Sequence, residues 1–359
     1  YPIYRIASAN LDFERLFELG LCGLIEWAGQ RAREVSSAKE RAFLESVAAA
    51  VETLREVLSL YIEEAGRLME GAPAERRREL QKMRESLQRV RDEKPRTLQD
   101  ALQMQNIYML AGRTTEMGRL DDYLCEFYRR DLENGELTHD EAVRLLDNFF
   151  TITEEERGRD TRAIIGGVGR KHEKSADQFD LLVLDVLEGR KYHFYPQVSL
   201  RYYQGMDEQI YDRSLQLLGE GYTFPILYND DVNIPSVMRA MDVPRKVAEQ
   251  YSFFGCGEYI LSHKSIGTPN TALNMAKVLE VTLHNGVDPY DGAKIGLPTG
   301  EITDDISFEE LMERYQKQIE YFCDLCGCFE ELLYDVCREE CSFLLMSALY
   351  DDCIGRGPF

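Results

Sequence analysis

Hydrophobic residues in the first 160 positions recur mostly at helical spacing. The apolar residues at 43, 44, 47, 51, 54 and 58 lie on one stripe, and charged residues fill the opposite face, which predicts an amphipathic helix. Further helical segments are predicted at 75–91, 98–110 and 120–132. Thr97 is expected to cap the helix at 98, and Thr138 with Glu141 forms a capping box for a later helix. We therefore predict a mostly helical N-terminal region over residues 1–160.

The pattern changes after about residue 160. Short apolar segments at 163–167, 197–201, 224–228 and 252–256 have the length, alternation or glycine-rich ends that are typical of β-strands. Helical patterns at 177–187, 208–218, 235–241, 271–285 and 307–346 separate or follow them. Strands separated by helices predict a β/α layered or barrel architecture for residues 161–359.

Composition and charge narrow the classes of partner. The 359 residues carry 64 acids and 42 bases, a net charge of −22, and such an acidic surface repels nucleic acid and anionic membranes. The sequence has no uncharged apolar stretch of membrane-spanning length and no apolar segment like that of a signal peptide. Nine irregularly spaced cysteines do not form a disulfide framework, so we expect reduced thiols in a cytoplasmic compartment.

The most unusual local sequence is FGCGEY at 254–259. Glycines on both sides of Cys256 leave its sulfur uncovered, and a loop tip between a strand and a helix can project that sulfur into a cavity. In an extended loop, the carboxylate of Glu258 would point to the same side as the thiol. Such a pair can combine hydrogen-atom and proton transfer. The alternative is a glycine-rich turn around a buried structural cysteine.

Several stretches resemble the glycyl radical enzymes, the group that contains pyruvate formate-lyase and the radical diol, glycerol and choline lyases. They follow the family's order: PRTLQDALQ at 95–103, MGRLDDYL at 117–124, YPQVSLR at 195–201, FPILYNDD at 224–231 and GCGE at 255–258. Residues 342–355 are also similar to a helix of that family. The resemblance implies an α/β chain, with an N-terminal helical region followed by the first half of a ten-stranded glycyl-radical-enzyme-type β/α barrel.

The resemblance also implies roles for residues. Cys256 would become a thiyl radical that abstracts a hydrogen atom, and Glu258 would be the general base that deprotonates a substrate hydroxyl. Acyl transfer in the family uses adjacent cysteines, but both neighbours of Cys256 are glycines, which favours elimination by a dehydratase or another C–X lyase. Formate acetyltransferase-like C–C cleavage and a non-catalytic scaffold subunit are the alternatives. Gly257 and Tyr259 stand where valine and proline are commoner, so the substrate is left open.

The implied partners follow from a missing motif. The family's radical-bearing loop, an Arg-Val-x-Gly-Tyr-like motif, does not occur in these 359 residues. The chain is therefore expected to be inactive alone, as a fragment or as one component of a split enzyme. We expect a glycyl-radical-bearing chain or domain as a partner and a transient radical S-adenosylmethionine enzyme that activates it. We expect a small-molecule substrate. We expect that this chain itself binds no cofactor and no metal directly.

Other polar groups are candidates for substrate binding. Thr268 and Asn270 would contact a substrate hydroxyl or amine, or would cap the helix predicted near residue 271. Asn229 and Asp230 would bind substrate or shape a turn. His263 follows Cys256 by seven residues and could border the cavity.

A cluster of cysteines near the C-terminus has a spacing that suggests a metal or iron–sulfur site, but core thiols are the favoured interpretation because no glycine-rich knuckle surrounds them. Its members are Cys323, Cys326, Cys328, Cys337 and Cys341.

Overall fold

The computed structural model describes residues 9–157, 161–254, 257–264, 272–340, 343–350 and 352–356. The first helices are α1 (Phe13–Glu34), α2 (Ala38–Met69), α3 (Ala74–Asp92), α4 (Leu98–Gly112), α5 (Leu120–Glu133), α6 (His139–Arg157) and α7 (Glu173–Glu188). The later helices are α8 (Glu208–Gly219), α9 (Asp230–Met241), α10 (Arg245–Ala248), α11 (Met275–Leu283), α12 (Phe308–Glu340), α13 (Leu344–Ala348) and α14 (Cys353–Arg356). The strands are β1 (Glu116–Arg119), β2 (Arg162–Gly166), β3 (Gln197–Tyr202), β4 (Ile226–Asn229), β5 (Tyr251–Phe254) and β6 (Glu258–Leu261).

The chain divides into two compact units. The larger comprises Ile6–Gly267 and Phe343–Phe359, and the smaller comprises Tyr1–Arg5 and Thr268–Ser342. All six strands belong to the larger unit, together with every helix except α11 and α12. The C-terminal helices α13 and α14 thus return to the unit that contains the N-terminal helices: the Tyr108 hydroxyl on α4 donates to the Leu345 carbonyl at 2.6 Å.

The helical N-terminal region follows the predicted pattern. The apolar stripe of α2 is buried from Leu44 to Leu58, as its spacing requires. Thr97 caps α4 in a full capping box with Asp100, which confirms the sequence-based prediction. Thr138 likewise accepts from the Glu141 amide while the Glu141 carboxylate accepts from the Thr138 amide. These caps were predictable because each depends on residues only three positions apart.

The central sheet of the larger unit is parallel, in the order β1-β2-β3-β4. Helices connect its strands, so the carboxyl ends of all four lie at one edge. The expected mixed α/β character with a parallel sheet is confirmed. β1, however, lies inside the region read as helical, because four residues with a glycine and an arginine carry no recognisable strand pattern. The ten-stranded barrel remains a prediction.

A β-hairpin follows the parallel sheet. β5 and β6 pair antiparallel, with Phe254 opposite Glu258. The expectation that a helix follows the cysteine loop was wrong: residues 258–261 form a strand instead. The sequence EYIL has β-forming side chains, and they pair with the equally apolar YSFF of β5. The two strands that precede and follow Cys256 in the sequence therefore form a hairpin.

The smaller unit contains α11 and the long helix α12. Gln318 of α12 is buried and exchanges two hydrogen bonds with the backbone of Leu297. The single helix predicted over 307–346 is two helices, since α12 ends at Glu340 and α13 begins at Leu344. Within the described ranges, no helix combines the length and the apolar character required to cross a bilayer.

Candidate functional site

The two candidate catalytic residues, Cys256 and Glu258, belong to the segment of the chain that includes the β5–β6 hairpin. Gly255 and Cys256, which lie between Phe254 and Gly257 in the sequence, are outside the described residues. Glu258 is the first residue of β6 and is exposed. It therefore follows the hairpin tip directly, two positions after Cys256. Thr268 and Asn270 also lie outside the described residues.

A buried ion pair lies next to the base of this hairpin. Arg201 at the end of β3 and Asp230 at the start of α9 are both fully buried. The Arg201 Nε and Nη2 donate to the two carboxylate oxygens of Asp230 at 2.9 and 2.8 Å. The Tyr251 hydroxyl and the Val168 amide also donate to Asp230. Because four donors surround this carboxylate, the geometry favours a structural role for Asp230, while substrate contact stays a prediction.

The same arginine holds the start of β5 in place. Arg201 Nη1 donates to the Tyr251 carbonyl at 2.9 Å, and Nη2 donates to the Glu249 carbonyl at 3.1 Å. Its guanidinium also stacks 3.8 Å above the Tyr251 ring. Burial raises the pKa of Tyr251, so its hydroxyl stays protonated as a donor to Asp230. Three elements, β3, α9 and β5, are thus joined beside the cysteine hairpin.

The turn after β2 makes room for this arginine. Gly167 has a φ of +91°, and a Cβ there would lie 2.8 Å from Arg201 Nε. On the other side, Arg119 at the end of β1 donates to the carbonyls of Gly166 and Val168 at 3.1 and 3.3 Å. Burial, with the neighbouring Arg201, lowers the pKa of Arg119 to about 10. Two arginines therefore bind backbone carbonyls at the carboxyl edge of the sheet.

Asn229 serves as the N-cap of α9. Its Oδ1 accepts from the Asp231 amide at 2.9 Å, and the Asp231 carboxylate accepts from the Gln204 amide at 2.8 Å. α9 therefore starts five residues earlier than the helix predicted at 235–241. Asn229 and Asp230 were expected either to bind substrate or to shape a turn. The capping geometry supports a structural role for Asn229, and substrate binding by Asn229 stays a prediction.

An aromatic cluster surrounds the hairpin strands. Tyr228 and Phe253 are stacked, with ring centroids 3.7 Å apart and planes inclined by 24°. The ring centroids of Tyr251 and Tyr259 lie 5.3 and 5.4 Å from that of Phe253. Burial raises the pKa of Tyr259. This cluster fixes the hairpin against the end of β4.

His263 lies at the other end of the hairpin from the cysteine. It follows β6, whose four residues span roughly 10 Å. Its Nδ1 is 3.3 Å from the Asn10 carbonyl, and burial lowers its pKa, so the neutral imidazole is favoured. The side-chain Nδ2 of Asn10 in turn donates to the buried Ser252 hydroxyl at 3.1 Å. These contacts anchor the base of the hairpin to residues before α1.

A second buried charge cluster lies behind the turn after β2. Arg170 Nη1 binds Asp121 and Asp180 at 3.3 and 2.9 Å, and Nη2 binds Asp177 at 2.7 Å. Burial raises the pKa of both Asp121 and Asp180. Repulsion by Asp121 raises the pKa of Asp180 further, and repulsion by Asp122 raises that of Asp121. Asp121 Oδ2 also accepts from the Gly166 amide at 2.9 Å.

Sequence reasoning did not predict these two charge clusters. Arg119 and Asp121 occur in the stretch at 117–124 that carries the family resemblance, and Arg201 ends the apolar strand QVSLRY. A charged residue within or near the end of an apolar strand was the sequence signal that could have indicated a buried charge cluster. Its partner could not be read from the sequence, since Asp230 is 29 positions away.

Three cysteines of α12 do not have the environment expected of core thiols. Cys323 and Cys328 are exposed and Cys326 is half-buried. The side chain of Cys337 and all of Cys341 lie outside the described part of the chain. Among the residues that are described, no group of three or more His, Cys, Asp or Glu side chains is arranged to hold a metal ion.

The whole chain is similar to one group of proteins. The sequence model of the pyruvate formate lyase-like family matches residues 1–358. A trans-4-hydroxy-L-proline dehydratase from Clostridioides difficile is 27% identical over 90% of this chain and 44% of its own length. An isethionate sulfite-lyase from Oleidesulfovibrio alaskensis is 24% identical over 96% of this chain and 45% of its own length.

A solved structure has the same fold. The crystal structure of the hydroxyproline dehydratase from Clostridioides difficile, with trans-4-hydroxy-L-proline bound, superposes with a TM-score of 0.82 at 25% identity. The superposition covers 98% of this chain and 48% of that structure. This chain therefore spans about half the length of the relatives it matches.

Proposed function

This chain belongs to the pyruvate formate lyase-like family, and we propose that it is the thiyl-cysteine component of a glycyl radical enzyme that eliminates a leaving group from a small polar substrate. The observation that carries the proposal is the match, over at least 90% of this chain, to relatives named for loss of water and of sulfite. Because the match spans only about half of each relative, the activity is proposed for an assembly with the remaining part.

The proposed chemistry uses Cys256 and Glu258. A glycyl radical on a partner chain or domain supplies the oxidising equivalent that makes Cys256 a thiyl radical. The Cys256 sulfur then takes a hydrogen atom from the substrate carbon that bears a hydroxyl, which forms an S–H bond and leaves a carbon radical. Glu258 accepts the hydroxyl proton, and the negative charge that develops on oxygen helps to expel the leaving group, with its electron pair, from the adjacent carbon. The product radical takes the hydrogen atom back from Cys256, which regenerates the thiyl.

The hairpin suits these roles. Gly257 and the strand that begins at Glu258 place a carboxylate next to the tip, and the exposure of Glu258 leaves it accessible to a substrate. Thr268, Asn270, Asn229 and Asp230 remain proposed substrate contacts, with Asp230 the weakest because its carboxylate already accepts four hydrogen bonds. We also propose that the four parallel strands are the first part of a ten-stranded barrel, which the remaining part of the enzyme completes.

The proposed test begins with the native assembly. The tagged chain is purified anoxically from its native cells, and the intact masses of all retained polypeptides are measured. A second chain with a radical-bearing glycine motif, or a native polypeptide about twice as long, is the expected result. Turnover of glycerol, 1,2-propanediol and isethionate by that activated assembly is then measured.

Variants in the same assembly assign the chemistry. Cys256→Ala is expected to lose all turnover, and Glu258→Gln to lose roughly 100- to 10,000-fold, because the general base is removed. Cys323→Ala is the matched control, since Cys323 is an exposed cysteine outside the hairpin, and it should keep full activity. Turnover that survives Cys256→Ala would show instead that this chain is a scaffold.

A further inference from the structure

The side chain of Tyr228 is held in one orientation next to the cysteine hairpin. Tyr228 lies on β4, and its ring stacks on Phe253 of β5 at 3.7 Å. The end of the ring that carries the hydroxyl approaches Gly257. Among the described residues, this hydroxyl has no hydrogen-bond partner. The position of the hydroxyl is therefore set by the aromatic stack and not by a polar contact of its own.

Gly257 fits this hydroxyl closely. Its φ is +107°, and a Cβ built on it would lie 2.6 Å from the Tyr228 hydroxyl oxygen and 3.7 Å from the ring carbon that bears it. A contact of 2.6 Å is too short for any side chain, whereas 3.7 Å is an ordinary van der Waals distance. The hydroxyl oxygen, and not the ring, therefore occupies the space that a side chain at residue 257 would need.

We propose that Tyr228 is a positioning residue for Cys256, acting through its contact with Gly257. Gly257 is bonded directly to Cys256, so a displacement of the Gly257 backbone moves the sulfur as well. Hydrogen-atom transfer needs the reacting atoms within a narrow range of distance, and a shift of about 1 Å can cost on the order of 100-fold in rate. The consequence for catalysis rests on the proposed function, but the contact itself does not.

The experiment separates the contact from backbone strain. Four variants of the full chain are compared with the wild type: Gly257→Ala, Tyr228→Phe, the double variant, and Gly205→Ala. Gly205 is the matched control because its φ is +97° and nothing lies within 4 Å of a Cβ there. Thermal unfolding is measured, and so is the rate at which iodoacetamide alkylates Cys256, resolved by mass spectrometry and divided by the rate at the exposed Cys323.

Gly257→Ala is expected to lower the unfolding temperature by roughly 3–9 °C more than Gly205→Ala, because it adds a steric clash to the same strain. It should also change the relative alkylation of Cys256 several-fold. Tyr228→Phe keeps the stack but removes the oxygen that contacts Gly257, so alone it should change the relative alkylation of Cys256 while leaving the unfolding temperature nearly unchanged. The double variant lacks the clashing oxygen, so it should recover most of the stability that Gly257→Ala loses.

The proposal is overturned if Gly257→Ala behaves like Gly205→Ala, or if Tyr228→Phe does not rescue it. Unchanged alkylation of Cys256 in Tyr228→Phe would also overturn it, since the contact would then be packing without influence on the thiol. None of these outcomes depends on turnover, so they are distinguishable from a failure of the proposed enzyme activity.

Discussion

Asp230 illustrates how a single carboxylate can join several elements. It is fully buried, its only counter-charge within hydrogen-bond distance among the described residues is Arg201, and it accepts four hydrogen bonds. Asp230→Asn leaves the Arg201 charge buried without its counter-charge. We expect the free energy of unfolding to fall by about 3–5 kcal/mol, as for other buried pairs that lose one partner. Denaturant unfolding of the chain measures this change.

Asp231→Asn provides the control for this prediction. Asp231 accepts one backbone hydrogen bond from Gln204 at 2.8 Å and is exposed. Its replacement is expected to cost less than about 1 kcal/mol, because asparagine keeps an acceptor oxygen there. A loss for Asp230→Asn as small as that for Asp231→Asn would contradict the structural role of the buried pair.

At the scale of single residues, the sequence predicted what depends on near neighbours. Thr97 and Thr138 were recognisable as caps because their partners are three positions away. Cys256 and Glu258 were recognisable as candidates because glycines isolate them in the sequence. The roles of Arg201 and Arg119 were not recognisable, since their partners lie 29 to 130 positions away along the chain.

The Arg170 cluster acts between elements. Asp121 belongs to α5, Asp180 belongs to α7, and both bind Arg170 in the turn after β2. The Oδ1 atoms of Asp121 and Asp180 are buried and have no hydrogen-bond partner among the described residues. Arg119 and Asp122 also act on Asp121, and Asp177 acts on Asp180. With three aspartates around Arg170, one proton held by the Asp121–Asp180 pair lowers the repulsion between them.

We expect this pair to hold one proton, which makes the link between α5 and α7 sensitive to pH. The folded-state pKa of Asp180 is raised by burial and by Asp121, so its contribution to stability is present in acid and is lost as pH rises through that pKa. Asp180→Asn removes the titrating carboxyl group and keeps a polar side chain of similar size in its place. The difference in unfolding free energy, variant minus wild type, should therefore increase with pH, by at most about 1.4 kcal/mol per pH unit.

Denaturant unfolding between pH 4 and pH 8 measures that difference. The matched control is Asp177→Asn, which removes a partly exposed carboxylate that binds the same guanidinium at 2.7 Å. It should lower the free energy of unfolding, because it weakens the pairing of Arg170. A constant difference between Asp180→Asn and the wild type across this pH range would show that the pair holds no proton.

At the scale of elements, long periodic segments were predictable and short ones were not. The stripe in α2 was clear over five turns, whereas β1 has only four residues and all of them are buried, so no alternation marks it. The hairpin was missed because β6 is a strand only through its pairing with β5. The cysteine loop was found from composition, but its exit into a strand required the structure.

At the scale of the whole molecule, net charge and exposed apolar surface have opposite effects on association between chains. The net charge is −22. On α12 of the smaller unit, Leu325, Phe329, Leu332 and Val336 are spaced by four and three residues, and 45–61% of each is exposed. We call these four residues the α12 seam. Such a row is the pattern by which helices pair, while like charge keeps chains apart.

The balance between these two effects predicts that the chain alone associates only when its charge is screened. At about 0.01 M salt the repulsion extends some 30 Å, and at about 1 M only some 3 Å, so sedimentation velocity should show monomers at low salt and larger species at high salt. Leu325→Gln combined with Leu332→Gln should abolish the association, because it replaces two of the four apolar residues of the α12 seam with polar ones. Leu60→Gln, on α2, removes another leucine that is 64% exposed and should leave association unchanged. Association that persists in the seam variant would place the contact on a different surface.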